Sequence, residues 1–391
     1  MLAEAHVMGR KLKMGMIGGG IDAFIGAIHR IAANMDGQIE LVCGVFSSNP
    51  DKSKQSGLQL HLPHNRIYNS YQEMLEQENK LPEGERMDFV SIVTPNHLHY
   101  APAKMALECG FHVVLDKPMT LTLAEAKTLS EVVTATGKLF CLTHTYSGYP
   151  MVKEAKHIVA SGMLGTIKKV YVTYPQGWLS QYIDEDNKQA AWRTDPAKSG
   201  IAGCMGDIGT HAFNLAEYVT GLEVNELCAD INTVVAGRHL DDDGAVLLSF
   251  NNGASGLLYA TQVAAGEENN VSIKVYGNLG GIEWQQETAN TLLVKWPEKP
   301  TEIRRAGNGY LSANTRHNCR TPAGHPEGYL EAFANLYRNF ALTLQAKIEG
   351  IKPEEAWLDF PGTMEGIRGM AFIEHVIASG KSTEKWTRFT T

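Results

Sequence analysis

An aspartate and a histidine stand four residues apart in the stretch Gly203-Cys-Met-Gly-Asp-Ile-Gly-Thr-His211. In a helix, this spacing places the side chains of Asp207 and His211 one turn apart on one face. A carboxylate beside an imidazole fixes the ring tautomer and raises its basicity, which suits a general acid or base near neutral pH. Taken alone, the pair is equally compatible with a helix that carries only a structural ion pair.

Lys117 is the second candidate for chemistry. It lies in Asp116-Lys-Pro118, directly after the apolar run 111–115, which we predict to be a buried strand. The loop Thr94-Pro-Asn-His-Leu-His99 follows another predicted strand, 88–93. Ligands of open α/β sheets bind beyond the carboxyl ends of the strands, where both loops fall. We therefore expect Lys117 to face a ligand rather than to be a solvated surface lysine.

A glycine-rich turn opens the chain's first strand–helix unit. Gly18-Gly-Gly20 follows a short apolar run and precedes a predicted helix. Such a turn lets the backbone close on a pyrophosphate, and the helix N-terminus adds N–H groups and a positive dipole. The third small residue of the fingerprint is Ala23 or, after three extra residues, Gly26. We predict a dinucleotide site here.

The end of the second predicted strand, 39–46, bears on the choice of dinucleotide. An acidic residue normally binds the ribose 2′-hydroxyl at this point. This chain has Ser47-Ser48-Asn49 instead, with Lys52 just beyond and no arginine to bind a 2′-phosphate. Two hydroxyls and an amide can bind a neutral ribose, which favours NAD and leaves NADP open.

Length and composition set the class of protein. A chain of 391 residues predicts two domains, and its net charge of −8 argues against nucleic acid or an anionic membrane as a partner. No apolar run approaches the roughly 20 residues that span a bilayer, and no secretory signal opens the chain. Six scattered cysteines without a CxxC pair favour buried thiols in a reducing compartment, so we expect a cytoplasmic protein.

Asp241-Asp-Asp243 has no second ligand cluster, so we predict a solvated turn and no metal.

The order of predicted elements gives an α/β protein in two parts. We predict a doubly wound parallel sheet in residues 1–149, the Rossmann type of domain. Residues 150–391 read as an α+β domain with a large, mostly antiparallel open sheet, whose C-terminal helices are free to pack back on the first domain. An open sheet face that is apolar needs a partner, which predicts a homodimer or homotetramer through that face.

Three motifs in this order resemble those of the Gfo/Idh/MocA oxidoreductases: Thr94-Pro-Asn-x-x-His99, Asp116-Lys-Pro118 and Gly206-Asp-x-Gly-x-His211. The resemblance covers about residues 13–386. It implies a Rossmann domain followed by an α/β domain with an open sheet. It also implies oxidation of a hydroxyl of a sugar, glycoside or cyclitol with NAD or NADP.

The resemblance and the motifs together assign the candidate site residues. The catalytic candidates are Lys117, Asp207 and His211. The cofactor candidates are Gly18, Gly20, Ile21, Asp22, Ala23, Ser47, Ser48, Lys52, Thr94, Pro95, Asn96, His99, Asp116, Lys117, Trp192 and Arg193. The substrate candidates are Lys117, Tyr146, Arg193, Asp207, His211 and His325, although His325-Pro reads equally well as a helix-entry turn.

The expected mechanism joins groups from both domains on one alcohol. His211 takes the hydroxyl proton, Asp207 orients the ring, and Lys117 polarises the oxygen. Lysine as the base, with histidine only orienting, stays open. Two departures from the family's pattern matter here. Asp116 replaces the usual Glu, and Thr145 and Ser147 stand where relatives often carry Asn and Arg.

Two other functions are compatible with the same motifs. The first is an NAD-dependent glycosidase, which oxidises C3 transiently, eliminates the aglycone and shows no net NADH. The second is a non-catalytic sensor that binds a dinucleotide. Retention of Lys117, Asp207 and His211 speaks against a sensor, because a sensor has no need of all three.

Overall fold

A computed structural model describes residues 9–21, 23–183 and 187–391 of the chain. The chain forms two compact units. The first unit comprises Met1–Gly148 and Tyr329–Ile367, and the second comprises Tyr149–Gly328 and Arg368–Thr391. The boundary near residue 149 is the one at which we expected the fold to change. The segment Tyr329–Ile367, which includes C-terminal helical sequence of the kind that the prediction left free to pack back on the first domain, belongs to the first unit.

The elements before the boundary alternate between strands and helices. They are β1 (Leu12–Gly18), α1 (Phe24–Asn34), β2 (Ile39–Val45), α2 (Pro50–Gln59), α3 (Tyr71–Lys80), β3 (Phe89–Val93), α4 (Tyr100–Glu108), β4 (His112–Leu115), α5 (Leu123–Thr136) and β5 (Phe140–Leu142).

The elements after the boundary are richer in strands. They are α6 (Pro150–Ala160), β6 (Ile167–Pro175), α7 (Lys188–Arg193), α8 (Pro196–Ser199), α9 (Thr210–Thr220), β7 (Val224–Asn232), β8 (Asp243–Phe250), β9 (Ser255–Thr261), β10 (Ser272–Gly277), β11 (Gly281–Gln285), β12 (Thr291–Lys295), β13 (Glu302–Arg305), α10 (Ala313–His317), α11 (Tyr329–Glu349), α12 (Thr363–Gly380) and β14 (Thr387–Arg388).

The first unit is a parallel sheet with the strand order β2-β1-β3-β4-β5. Beside β2, Ile67 forms a single parallel bridge with Gly44, where a further strand of a dinucleotide-binding sheet would lie. All five residues of β3 are buried, as expected of a parallel strand that is covered on both faces. On one face, α11 packs against α1. The order in which successive strands are added to the sheet reverses between β1 and β3. The loops that follow these two strands, at the switch point, carry the glycine turn and Thr94.

The second unit is a nine-stranded sheet with the order β13-β12-β11-β10-β6-β9-β8-β7-β14. Only β6 and β9 pair in parallel, and every other pairing is antiparallel. Helices α6 and α9 pack together and against this sheet. The prediction of a Rossmann sheet followed by a mostly antiparallel sheet is therefore confirmed.

One row of side chains on the other face of this sheet crosses eight strands from β7 to β13. These paired residues, which we call the outer row, are Cys228, Leu247, Leu257, Tyr171, Lys274, Glu283, Leu293 and Ile303. None of them is buried, and Leu247 and Ile303 are 45% and 58% exposed. The open face therefore mixes apolar and charged groups.

Three details differ from the sequence predictions. Strands β13 and β14 were not predicted, because Glu302–Arg305 is mostly charged and Thr387–Arg388 is very short. The predicted helix 203–217 contains a π-helical turn, Met205–Gly209, ahead of α9. All six cysteines are free, but only three are buried; Cys109, Cys228 and Cys319 are partly exposed. Within the described ranges, the helices are each too short or too polar to cross a bilayer.

Candidate active site

The glycine turn after β1 has the backbone geometry that a dinucleotide site requires. Gly18 and Gly19 have φ angles of +86° and +71°, a region that side chains disfavour. A Cβ on Gly20 would lie 2.8 Å from the carbonyl oxygen of Phe46. Glycine is therefore favoured at these positions, and a turn without side chains lets the protein backbone approach a bound pyrophosphate.

Gly26 is the third glycine of the fingerprint. A Cβ on Gly26 would lie 2.3 Å from Cα of Gly19, so the helix and the turn pack backbone against backbone. Ala23, the alternative, is the residue that precedes α1, and its N–H donates to the Gly20 carbonyl. Arg30 of α1 also donates to the Gly19 carbonyl, at 2.6 Å. The three extra residues thus lengthen the turn without moving the close helix contact.

The remaining turn residues are placed as follows. The N–H of Ile21 donates to Ser56 Oγ at 3.3 Å, and the Ile21 side chain is exposed. Asp22, a predicted cofactor contact, lies outside the described residues.

At the end of β2, Ser47 Oγ accepts the N–H of Asn49, and Asn49 Oδ1 caps α2 by accepting the N–H of Lys52. The Asn49 amide oxygen is thus used within the loop, and the Ser48 and Lys52 side chains are exposed.

The Asp116-Lys-Pro118 turn follows β4. Oδ1 of Asp116 accepts the N–H of Lys117 and the hydroxyl of Thr143, each at 2.9 Å. The Lys117–Pro118 peptide bond is cis. The short aspartate arm reaches the very next main-chain N–H, so the residue that replaces the family's glutamate shapes the turn locally.

His99 joins this turn to the loop after β3. Its Nδ1 lies 2.7 Å from the Pro118 carbonyl oxygen, and its Nε2 lies 2.8 Å from the Thr94 carbonyl oxygen. Burial lowers the pKa of His99, and the charge of Asp116 and the two carbonyls oppose that shift. Both ring nitrogens of His99 contact main-chain oxygens, and Asn96 is buried in the short helical turn Asn96–Leu98 of the same loop.

Two more histidines are buried near Asp116. His29 of α1 contacts Tyr337 Oη of α11 at 2.7 Å through Nδ1, and its Nε2 lies 4.0 Å from Asp116 Oδ1. Burial lowers the pKa of His29 to about 4, although Asp116 opposes the shift. Burial and then the positive charge of Lys117 lower the pKa of His144 to about 3. Both rings are therefore neutral at pH 7.

In the second unit, Asp207 lies in the π turn that precedes α9. Such single turns widen a helix locally and are frequent at functional sites. The carboxylate of Asp241 anchors the start of the turn, because it accepts the N–H groups of Gly203 and Met205 at 2.6 and 2.7 Å. Asp242 likewise accepts the N–H of Val234 at 2.7 Å and is buried. Residues 241–243, predicted to be a solvated turn, are instead a structural anchor.

The Asp207 carboxylate has two partners that differ in charge. Its Oδ2 accepts a hydrogen bond from Gln262 Nε2 at 3.0 Å and lies 3.4 Å from Nε of Arg193. The guanidinium of Arg193 also stacks over the Trp192 ring at 4.3 Å. The Asp207 side chain keeps 18% of its surface exposed, so a ligand can still approach it.

His211 is one residue into α9 and only 9% exposed. Its ring lies 6.4 Å from the ring of Tyr174 on β6. The apolar stripe predicted for this helix, Ile208, Ala212, Leu215 and Val219, is buried throughout. Nine of the eleven residues of α9 are buried, so the helix is enclosed on more than the side of the predicted stripe.

Two substrate candidates differ in exposure. Tyr146 is buried in a single helical turn after β5, together with Thr145 and Ser147. His325 is exposed in the loop before α11. The buried carboxylate of Glu327 organises that loop by accepting the N–H groups of Arg320 and Thr321, a role that the helix-entry reading did not include.

Two residues that contact the site candidates were missed in the sequence. They are Thr143, which contacts Asp116, and Gln262, which contacts Asp207. Thr143 and Gln262 directly follow strands, the positions from which side chains reach ligands and catalytic groups in sheets. Their position directly after a strand is the one sequence feature that singles these residues out, and it does not identify the residues they contact.

Comparison with known proteins identifies the family. Residues 12–144 match the oxidoreductase family with an NAD-binding Rossmann fold, and residues 152–283 match the GFO/IDH/MocA C-terminal domain. The chain is 31% identical over 395 aligned residues to the uncharacterized oxidoreductase YfiI of Bacillus subtilis, and the alignment covers 100% of both proteins.

Solved structures resemble the chain over nearly its full length. An oxidoreductase from Sinorhizobium meliloti is 41% identical with a TM-score of 0.87, covering 97% of this chain and 99% of that one. An inositol dehydrogenase homolog from Azotobacter vinelandii in complex with NAD+ is 32% identical with a TM-score of 0.93, covering 98% of each chain. The same homolog in complex with NADH and myo-inositol has a TM-score of 0.90 at 32% identity over 98% of each chain. The chain therefore belongs to the GFO/IDH/MocA family of oxidoreductases, and its first unit is an NAD-binding Rossmann domain.

Proposed function

We propose that the protein transfers a hydride between NAD and a ring hydroxyl of a cyclitol or sugar. The observation that carries the proposal is the segment around Asp207 and His211, where a carboxylate on a π turn precedes a nearly buried imidazole by four residues. The complex of the A. vinelandii homolog with myo-inositol supports a cyclitol as the first substrate to test.

A bound nicotinamide supplies the hydride acceptor. His211 takes the proton of the substrate hydroxyl, and Asp207 orients the ring and stabilises the imidazolium that forms. Lys117 donates to the substrate oxygen and stabilises the negative charge that develops there. Lysine as the base is the competing arrangement. It predicts that His211→Asn keeps most of the activity while Lys117→Ala loses it.

The test is turnover of three variants against a panel of cyclitols, free sugars and glycosides. We expect Lys117→Ala and His211→Asn each to lower kcat by on the order of 10²-fold, as for loss of one positioned catalytic group. Lys127→Ala, on the exposed side of α5, is the matched control and keeps wild-type activity. Near-full activity of Lys117→Ala would refute its role. Aglycone release from a glycoside without net NADH would identify the glycosidase instead.

NAD is proposed as the preferred cofactor over NADP. Ser47 and Ser48 present hydroxyls at the end of β2, and residues 47–54 contain no arginine to bind a 2′-phosphate. Equal kcat/KM values with NAD and NADP in the same panel would contradict this preference.

A second copy of the chain is the proposed partner of the outer row. The row presents Leu247, Tyr171 and Ile303 in register across the sheet, and all three are exposed. We expect Leu247→Asp to lower the molar mass measured by light scattering, because it places a charge in the apolar part of the row. Val234→Asp is the control, since Val234 is 62% exposed but lies beyond the end of β7. A monomeric wild-type protein would contradict the proposal.

A further inference from the structure

Gln262 directly follows β9 and contacts the proposed catalytic carboxylate. Its Nε2 donates to Asp207 Oδ2 at 3.0 Å across 55 residues of sequence. The residue is only 2% exposed. A glutamine buried to this extent with its amide on a carboxylate is a specific contact, because burying an amide without a partner is costly.

The main chain of Gln262 is fixed on both sides. Its N–H donates to the Asp242 carbonyl at 2.9 Å, and its own carbonyl accepts the N–H of Leu179 at 3.1 Å. The amide therefore reaches Asp207 from a backbone that has little freedom to move. A donor in a fixed place restricts the torsion of the carboxylate that accepts from it.

Arg193, the second partner of Asp207, is built differently. It lies on the short helix α7, donates to Gln189 Oε1 at 2.6 Å and keeps 24% of its side chain exposed. Its long arm is able to leave Asp207 for an anionic or hydroxylated ligand. Gln262 is neutral and buried, so its bond to Asp207 does not cancel the negative charge that a histidine would need.

We propose that Gln262 is a positioning residue for Asp207. It holds the carboxylate in place for His211 through an uncharged donor which, unlike Arg193, does not offset the negative charge of Asp207. This inference rests on the proposed function, in which His211 is the base. Nothing in the motifs of the sequence separates a glutamine of this kind from any other residue at the end of a strand.

The test is the pH dependence of kcat/KM in two variants of Gln262. Gln262→Glu places a second carboxyl group about 3 Å from that of Asp207, and two carboxyl groups this close do not both ionise, so the pair retains one proton with a raised pKa. Loss of that proton changes the charge beside the imidazole, so we expect the kcat/KM profile to gain an ionisation that the wild type lacks. Gln262→Met keeps the length but removes the donor. We expect it to lower kcat by about 10-fold while the Kd for NAD stays within about twofold.

Gln345 on α11 provides a matched control. It is also buried, and its Nε2 donates to the carboxylate of Glu349 at 2.6 Å. The mechanism does not use this pair. Gln345→Glu and Gln345→Met therefore probe the cost of changing the contact between a buried glutamine and an exposed carboxylate, and we expect both to leave the pH profile unmoved.

The outcomes separate this inference from the proposed function. If Gln262→Glu has the wild-type pH profile, or Gln262→Met the wild-type kcat, Gln262 does not position Asp207 for catalysis. If either variant unfolds at the assay temperature, the other still decides the point. Should His211→Asn retain the wild-type acidic limb, the limb does not report His211, and the assignment of His211 as the base fails, whatever Gln262 does.

Discussion

In the first unit, Asp116 and His99 contact main-chain atoms around Lys117, with one side-chain contact from Thr143, whereas in the second unit the Asp207 carboxylate contacts side chains. Asp116 accepts the N–H of Lys117, and His99 contacts two carbonyl oxygens. Asp207 instead contacts Gln262 and Arg193. A hydrogen bond to the main chain needs only a donor or an acceptor in the right place. A contact between a carboxylate and a cationic side chain depends on the charge of the carboxylate as well. The two aspartates should therefore respond differently to loss of their charge.

The largest expected effect is that of Asp207→Asn. The amide is almost the same size but carries no charge, so it cannot stabilise an imidazolium or pair with Arg193 as a carboxylate does. We expect kcat to fall by on the order of 10²-fold and the Kd for NAD to change little.

Asp230→Asn serves as the control for that measurement, since Asp230 is exposed on β7 and its carboxylate accepts a long hydrogen bond, 3.4 Å, from Asn232 Nδ2. A wild-type kcat in Asp207→Asn would show that the charge of Asp207 is not needed for turnover. The expected difference between Asp207 and Asp116 would then not exist.

The next largest effect tests the main-chain packing of the first unit. In Gly26→Ala the new Cβ would lie 2.3 Å from Cα of Gly19, and neither backbone can yield easily. We expect NAD to bind at least about 10-fold more weakly by calorimetry, because the turn must move away from α1. Gly309→Ala has open space around its Cβ and is the control. Unchanged NAD affinity in Gly26→Ala would mean that this contact does not shape the turn.

Acid should destabilise the first unit through its buried histidines. Folding lowers the pKa of His29 to about 4, whereas an unfolded histidine has a pKa near 6.5, so the unfolded chain binds the proton first as the pH falls. The contribution of His29 to the free energy of unfolding is fully present above about pH 6.5. It is lost progressively down to about pH 4, by on the order of 1 kcal/mol per pH unit.

Urea unfolding between pH 7 and pH 4.5 measures this slope. His29→Gln should flatten it, and His64→Gln, at an exposed position, should leave it as in the wild type. An identical slope in His29→Gln and the wild type would show that the ring of His29 takes up its proton in the folded state too.

The sequence predicted those features that follow from burial or from backbone geometry. The residues Gly281–Gln285 form a strand with the predicted bounds, and the helix predicted at 363–379 is Thr363–Gly380. Both segments alternate or repeat apolar residues with the period of their structure, because one side of each is buried. The glycine turn was also predicted, since positive φ angles require glycine.

Contacts between residues distant in sequence could not be predicted in the same way. Gln262 and Asp207 are joined by the order of strands in the sheet, and no local pattern encodes that order. The π turn at Met205–Gly209 has the same apolar spacing as an α-helix, so periodicity does not detect it. Strand β13 carries the charged sequence of an edge strand rather than an alternating pattern.

The smallest expected effect is that of Asp116→Asn. Asparagine keeps an oxygen at the position of Oδ1, so it can still accept the N–H of Lys117 and the hydroxyl of Thr143. We expect kcat to stay within about fivefold of the wild type, and Asp116→Ala, which lacks the acceptor, to lose about 10-fold. Steady-state kinetics with the best substrate of the panel measures both. A 10²-fold loss in Asp116→Asn would mean that the negative charge acts directly on the ammonium of Lys117. Both units would then position their cations electrostatically, and the main-chain contacts of the first unit would be secondary.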